Sequence, residues 1–341
     1  MTDQTMPFEE NSQMLREIWP FVDAHRRAGN SVVLARLVGR DGPGARPIGA
    51  TMAVAADGTW RGSLSGGCVE GFVLDAAREV LGGDSPARIL SVLPAEHLLP
   101  WEQGPACSGE LRVLITPAPP AAVHSAITLA LAHDTQLAIR IELRSPYTWA
   151  VSSRPGSSDC AAPAFTEMIG RRRKLVLVGA TDLAAIMAEL AQAMHFAVVV
   201  LDPRPGHLGS RAFPSTATLV RAWADEWLTA HPLDAQDALV TVSHDPRIDD
   251  RALEAALAGR ARYVAALGSR ATHAQRLRRL TRSVESQRLR GPAGLDLGGI
   301  TLAETAVSIL AEIVATENGR VGGPLRHGDR PIHTLPEAAH V

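Results

Sequence analysis

The sequence predicts an α/β protein in which an N-terminal α+β domain precedes a Rossmann-like, doubly wound parallel sheet. Three observations carry that expectation. At 341 residues, 46% of them apolar, the chain is long for one core and has enough aliphatic side chains to fill two. In the second half, short apolar runs alternate with segments of helical periodicity, the pattern of strand–helix–strand units. Gly179 closes the first of these runs and Asp202 ends the next, 202 − 179 = 23 positions on, near the spacing of a glycine turn and its ribose-reading carboxylate.

The N-terminal domain spans 1–144. Residues 13–28 read as a helix that ends at Gly29-Asn30, and 31–38 as a strand bounded by Gly39. Further strands are expected at 51–55, 89–93, 111–116 and 136–143, with helices at 69–81 and 121–133. Residues 145–172 break the pattern; their Ser/Pro/Gly-rich centre from Ser152 to Asp159 has little to bury and reads as a linker. The run Arg171-Arg172-Arg173-Lys174 reads as a solvated entry to the next strand rather than a phosphate patch.

In the C-terminal domain, 173–318, strands are expected at 175–178, 197–201, 239–242 and 263–267, with helices at 183–194, 250–257 and 273–281. The last helix is well marked: Thr301 and Glu304 form a T-x-x-E capping box, and Ala306, Ile309, Leu310 and Ile313 share a face. Residues 319–341 are rich in Gly and Pro and read as a flexible tail.

Composition removes several functions. With 34 basic and 36 acidic residues the net charge is −2, without the basic excess of a nucleic-acid binder. The three cysteines, Cys68, Cys107 and Cys160, form no CxxC pair and no disulfide framework. No apolar run reaches the roughly 18 residues of a membrane span, and the acidic first ten residues lack a signal-peptide core, so a soluble cytoplasmic protein is expected.

Chemistry concentrates in Gly62-Ser63-Leu64-Ser65-Gly66-Gly67-Cys68-Val69-Glu70-Gly71. A glycine-rich loop opening a helix offers backbone N–H groups and a favourable dipole to an anion, and the same field lowers the pKa of a cysteine placed there. The bland alternative is a tight turn around a buried structural Cys. In the second half, the turn Gly179-Ala180-Thr181-Asp182-Leu183-Ala184 departs from G-x-G-x-x-G/A. Thr181 replaces the glycine that admits a pyrophosphate, and Asp182 sets a carboxylate where the phosphate would sit and can satisfy the helix N-terminus itself. His244, Asp245, Asp249 and Asp250 follow a strand end and include metal-ligand types, although Asp249 is equally a helix cap with Asp250 complementing the dipole. Gly268-Ser269-Arg270 is either a phosphate-holding turn or another cap. The basic run Arg276-Leu277-Arg278-Arg279-Leu280 with Arg282 reads as a solvated face.

These motifs, in order, resemble those of the xanthine dehydrogenase accessory protein family (XdhC/CoxI type). The loop at 62–71 resembles its N-terminal signature, preceded by Gly42-Pro43-Gly44-Ala45-Arg46-Pro47-Ile48-Gly49-Ala50. Cys107-Ser108-Gly109-Glu110 resembles its second cysteine motif, with Ser108 where Gly is usual. Leu201-Asp202-Pro203-Arg204-Pro205, Ser243-His244-Asp245-Pro246-Arg247, Gly268-Ser269-Arg270 and Gly294-Leu295-Asp296-Leu297-Gly298 continue the match. Members usually carry a second Gly in the turn at Gly179. The resemblance implies a chaperone that binds the molybdenum cofactor, supports its sulfuration and delivers it to a xanthine-dehydrogenase-like molybdoenzyme. A cysteine desulfurase as a further partner and a homodimer are open. It implies cofactor contacts at Ser63, Ser65, Gly66, Gly67, Cys68, Glu70, Cys107, Gly179, Asp202, Arg204, His244, Asp245 and Ser269, with Cys68 the candidate to face molybdenum or transferable sulfur. No nucleophile elbow is present, and a non-catalytic accessory role is favoured over enzyme activity. The competing readings are an NAD(P)-dependent oxidoreductase, argued from Asp202 and opposed by Thr181-Asp182, and a diverged scaffold that binds partners without a cofactor.

Overall fold

A computed structural model describes residues 11–41, 46–67, 69–83, 86–93, 110–152, 163–280 and 287–328. It divides the chain into two compact units, with the boundary between Arg171 and Arg172.

The first unit opens with α1 (Asn11–Arg27), whose Leu15, Ile18, Trp19 and Val22 recur at helical spacing and are buried. Five strands follow: β1 (Val32–Arg40), β2 (Thr51–Ala55), β3 (Trp60–Gly62), β4 (Arg88–Val92) and β5 (Leu111–Pro117). They form an antiparallel sheet ordered β3-β2-β1-β5-β4. Central β1 sends successive side chains to opposite faces. Val32 and Leu34 enter a core with α1 and α3 (Ala121–His133), while Val33, Ala35 and Leu37 enter another with Val69, Val73, Ala76 and Ala77 in and beside α2 (Glu70–Gly82).

A second sheet corrects the reading of 145–172 as a linker. Strands β6 (Leu137–Glu142), β7 (Trp149–Ser152) and β8 (Ala164–Ile169) pair antiparallel in the order β7-β6-β8. Phe165 and Ile169 of β8 belong to the same core as α1. Between them Glu167 is fully buried and ion-paired with the fully buried Arg36 of β1. The guanidinium of Arg36 also lies 5.4 Å from the Trp149 ring and 6.0 Å from that of Phe165. Burial lowers its pKa to about 9. A charge at the centre of β8 is what hid this strand from a hydrophobic pattern.

The second unit is wholly parallel. Its strands are β9 (Lys174–Val178), β10 (Ala197–Leu201), β11 (Thr218–Val220), β12 (Ala238–Thr241), β13 (Tyr263–Ala266) and β14 (Leu289–Arg290). They lie in the order β11-β10-β9-β12-β13-β14. Counted from β9 this is 3-2-1-4-5-6, the Rossmann order, with the topological switch between β9 and β12. Leu175 and Leu177 pack with α4 (Asp182–Ala193) and α8 (Leu302–Glu317); Val176 and Val178 pack with α5 (Ala224–Ala230) and α6 (Pro246–Ala258). Helix α7 (Arg270–Arg279) connects β13 to β14. The register aligns Leu201, Val178, Thr241 and Ala266 across the sheet, so the turns after β10, β9, β12 and β13 emerge along one carboxyl edge. The expected capping box is formed by Thr301 and Glu304. Beyond α8, the Arg320 amide returns to the Ala315 carbonyl and Leu325–His327 makes a 3-10 turn; 329–341 lie outside the described residues. Among the described residues no helix is long and apolar enough to cross a membrane.

Candidate functional site

The loop between β3 and α2 is organised by its own carboxylate. Glu70, the first residue of α2, folds back so that Oε1 accepts from the Ser63 hydroxyl (2.7 Å) and the amides of Leu64 (3.0 Å) and Ser65 (3.1 Å). Its Oε2 accepts from the Ser65 hydroxyl (2.8 Å) and the amides of Gly67 (2.9 Å) and Val69 (3.2 Å). Ser63 Oγ also accepts from the Gly66 amide, 2.9 Å. Burial alone would push the Glu70 carboxyl up, but the hydroxyls of Ser63 and Ser65 and the amides of Ser65 and Leu64 outweigh it and hold it at about 2. The donors that the sequence offers to a phosphate are therefore turned inward. Ser65 and Glu70 are buried within the loop and Ser63 is half-buried, their polar atoms engaged with one another. Gly66 and Gly67 remain as its exposed rim, at φ +87° and +121°. Gly62 is required for another reason, since a Cβ there would lie 2.2 Å from the Thr51 carbonyl oxygen. Cys68 and Cys107, like Cys160, lie outside the described residues.

The carboxyl edge of the parallel sheet repeats the device with different chemistry. Asp202, fully buried at the end of β10, accepts from the Ala180 amide (2.8 Å), the Arg204 amide (3.0 Å), and Arg204 Nε (2.9 Å) and Nη2 (2.7 Å). Burial raises its pKa, but Arg204 and the two amides prevail and hold it below the usual carboxylate range. Gly179 has φ +109°, and a Cβ there would lie 2.6 Å from Ser243 Cα, so the glycine admits the neighbouring turn. Thr181 caps α4 by accepting from the Ala184 amide at 3.2 Å. Asp182 is instead paired with Arg211 at 2.7 Å, which corrects its reading as the cap.

After β12, the exposed His244 sits at φ +61°, the left-handed region that non-glycine residues seldom adopt. Asp245, not Asp249, is the N-cap of α6; it accepts from the Arg247 amide at 3.0 Å, and Pro246 fixes the first helical position. Its bond to Arg247 holds the Asp245 carboxyl at about 2. Asp249 is buried under the turn. After β13, the exposed Ser269 caps α7 by accepting from the Thr272 amide at 3.1 Å. Arg276 is almost fully buried, a correction to the solvated-face reading of its helix. Among the described residues no group of three His, Cys, Asp or Glu could hold a metal ion.

Gly179, Asp202, Arg204, His244, Asp245 and Ser269 thus share one sheet edge. As a dinucleotide site the edge fits poorly: the ribose-reading acceptor is already held by four donors, and a threonine side chain fills the cap. As a site for a compact anion it fits better. Three helices, α4, α6 and α7, direct their N-termini to this edge, Arg204 is partly exposed, and His244 and Ser269 face solvent.

The comparisons with known proteins match both units. A family model described as the XdhC and CoxI family matches residues 25–92, and one described as the XdhC Rossmann domain matches 175–313. The chain belongs to the XdhC and CoxI family. It is 27% identical over 320 residues to a Bacillus subtilis (strain 168) protein named as a probable xanthine dehydrogenase subunit, covering 86% of this chain and 96% of that protein. It is 26% identical over 309 residues to the "molybdenum cofactor insertion chaperone PaoD" of Escherichia coli (strain K12), covering 88% of each. A crystal structure described as a xanthine dehydrogenase from Bacillus halodurans shares the fold, with a TM-score of 0.74 and 22% identity over 89% of this chain and 96% of that one. In this XdhC-family chain, sequence reasoning missed Ser243, the true role of Asp249 and the inward-facing Arg276. Asp245-Pro246 was the available signal for the α6 cap.

Proposed function

We propose that this XdhC-family protein binds the molybdenum cofactor and delivers it to a xanthine-dehydrogenase-like molybdoenzyme during maturation. Similarity along nearly the whole chain to a protein named as a molybdenum cofactor insertion chaperone supports the reading. The geometric observation that carries it is at Asp202, where Arg204 and Ala180 occupy the acceptor that a dinucleotide ribose needs. Outward along that edge, beside the Asp182–Arg211 and Asp245–Arg247 pairs, lie a guanidinium, an imidazole and a hydroxyl, from Arg204, His244 and Ser269, a set suited to the phosphate of an anionic pterin. These groups bind and orient the cargo; none needs to form a covalent bond with it. The Cys68 thiol is proposed, on its sequence context, as the group that carries sulfur received as a persulfide from a cysteine desulfurase.

The test is anaerobic incubation with extracted molybdenum cofactor, followed by measurement of molybdenum and pterin retained per chain. Near-stoichiometric retention is expected, with sulfur transfer but not folding lost in Cys68→Ala. No retention by folded protein would replace this reading with the cofactor-free scaffold. Titration with NADH and NADPH is expected to show no binding at millimolar concentration; tight binding would restore the oxidoreductase reading.

A further inference from the structure

We infer that Ser243, Asp249 and Arg276 form a buried positioning relay that sets the conformation of the His244 turn and so the anion affinity of the sheet edge. The affinity part of this inference rests on the function proposed above; the conformational part does not. The relay runs through the interior of the second unit. Arg276 Nη2 donates to the Leu267 carbonyl after β13, 3.1 Å, and lies 3.6 Å from Asp249 Oδ2 on α6. Asp249 Oδ1 accepts from the Ser243 hydroxyl at 2.6 Å, and Ser243 Oγ in turn accepts from the Asp245 amide at 3.1 Å. Residue 244 is therefore bracketed by one clamped hydroxyl. Ser243 also abuts Gly179, where no side chain would fit. Three edge turns, those after β9, β12 and β13, are tied through these side chains.

Two features argue that the relay has a purpose beyond stability. Asp249 is 1% exposed and Arg276 3% exposed, yet Arg276 Nε and Nη1 have no hydrogen-bond partner among the described residues. Desolvation of a buried ion pair is returned in full only where the remaining donors are also satisfied, so an incompletely satisfied pair is weak evidence of a purely stabilising role. The turn it supports carries a non-glycine residue at φ +61°, a conformation that persists only where its surroundings impose it. The surrounding charges are Arg204, whose field is felt by Asp245 and Asp249, and Asp250, which is paired with Arg279. None of them replaces the Ser243–Asp249 bond.

The experiment compares Asp249→Asn, Asp249→Leu and Ser243→Ala with the unmutated full-length chain. The readouts are the imidazole NMR resonances of His244, assigned with His244→Gln, and retention of extracted molybdenum cofactor. Asp249→Asn keeps an oxygen for the Ser243 hydroxyl and is expected to keep the His244 resonances and retention within about twofold. Asp249→Leu is expected to shift the resonances and to weaken retention at least about tenfold, the order of loss that misplacement of a binding group produces. Ser243→Ala, a small change that preserves packing, should shift the resonances in the same direction should Asp249→Leu fail to fold. Unchanged His244 resonances in Ser243→Ala would overturn the relay. If the unmutated chain retains no cofactor, the proposed function fails, and the resonances still decide the relay.

Discussion

Two glycine turns in this protein, one in each unit, feed a helix N-terminus and are closed by a carboxylate of the chain itself. In the first, Glu70 gathers six neutral donors from residues 63 to 69 and carries the only formal charge among the described residues of the network. In the second, Asp202 takes one amide from the Gly179 turn but shares its charge with Arg204. The difference decides what each turn can offer. A loop closed by neutral donors around a carboxylate presents little to an anion, because its donors are consumed and its charge is negative. A carboxylate neutralised by a guanidinium leaves the edge around it free to attract one. A glycine loop is thus a candidate anion site only after the carboxylates within reach of it have been placed.

The comparison can be broken most strongly at Glu70. Glu70→Ala removes the carboxylate acceptor of the buried Leu64 and Ser65 amides and leaves the Val69 amide only its bond to Ser65 Oγ, and is expected to destabilise the first unit by about 3 kcal/mol or more, read by chemical denaturation; a loss under about 1 kcal/mol would mean that the carboxylate does not organise the loop. Next comes Gly179→Ala, which forces a Cβ to 2.6 Å from Ser243 Cα. It should cost the second unit roughly 2–3 kcal/mol, whereas Gly66→Ala, with open space around its Cβ, should cost only about 1 kcal/mol of left-handed strain. Equal costs would show that Gly179 does not serve packing. Asp202→Asn removes the ion pair but keeps an acceptor, and Arg204 can rehydrate, so a loss of about 1–2 kcal/mol is expected.

Acid sharpens the contrast further. The folded Glu70 carboxyl titrates at about 2 against an ordinary 4.5. A lowered pKa gives stability that is complete above the unfolded value and is lost as pH falls through the folded one. The first unit should therefore weaken progressively from about pH 4.5 toward 2, and Glu70→Gln should flatten that limb. An unchanged acid limb in Glu70→Gln would contradict the network. Asp202 acts with the same sign, since its pKa is also lowered.

Much of this is legible in the sequence, and the gaps have physical causes. The parallel sheet announces itself because β9, β10, β12 and β13 are nearly continuous aliphatic runs, as strands buried on both faces must be. The edge strands β11 and β14 are three and two residues long, too short for any periodicity to register. β8 is hidden by the buried Glu167, whose partner Arg36 is 131 residues away. At the sites, spacing finds Asp202 but not its partner, because Arg204 reads as an ordinary charge until the chain turns it back. Glu70 lies in view within the motif, yet its role depends on the loop curling over the helix start. Asp249 reads as a cap only while the helix is expected to begin at Asp250; Pro246 begins it a turn earlier and sends Asp249 inward.

The most direct test compares molybdenum cofactor retention by His244→Ala and Ser63→Ala, each shown to be folded, against the unmutated chain. Retention that falls about tenfold or more in His244→Ala and stays near the unmutated level in Ser63→Ala is the predicted result. The reverse pattern, with Ser63 needed and His244 dispensable, would place the anion on the first unit's loop and contradict a site on the parallel sheet's edge.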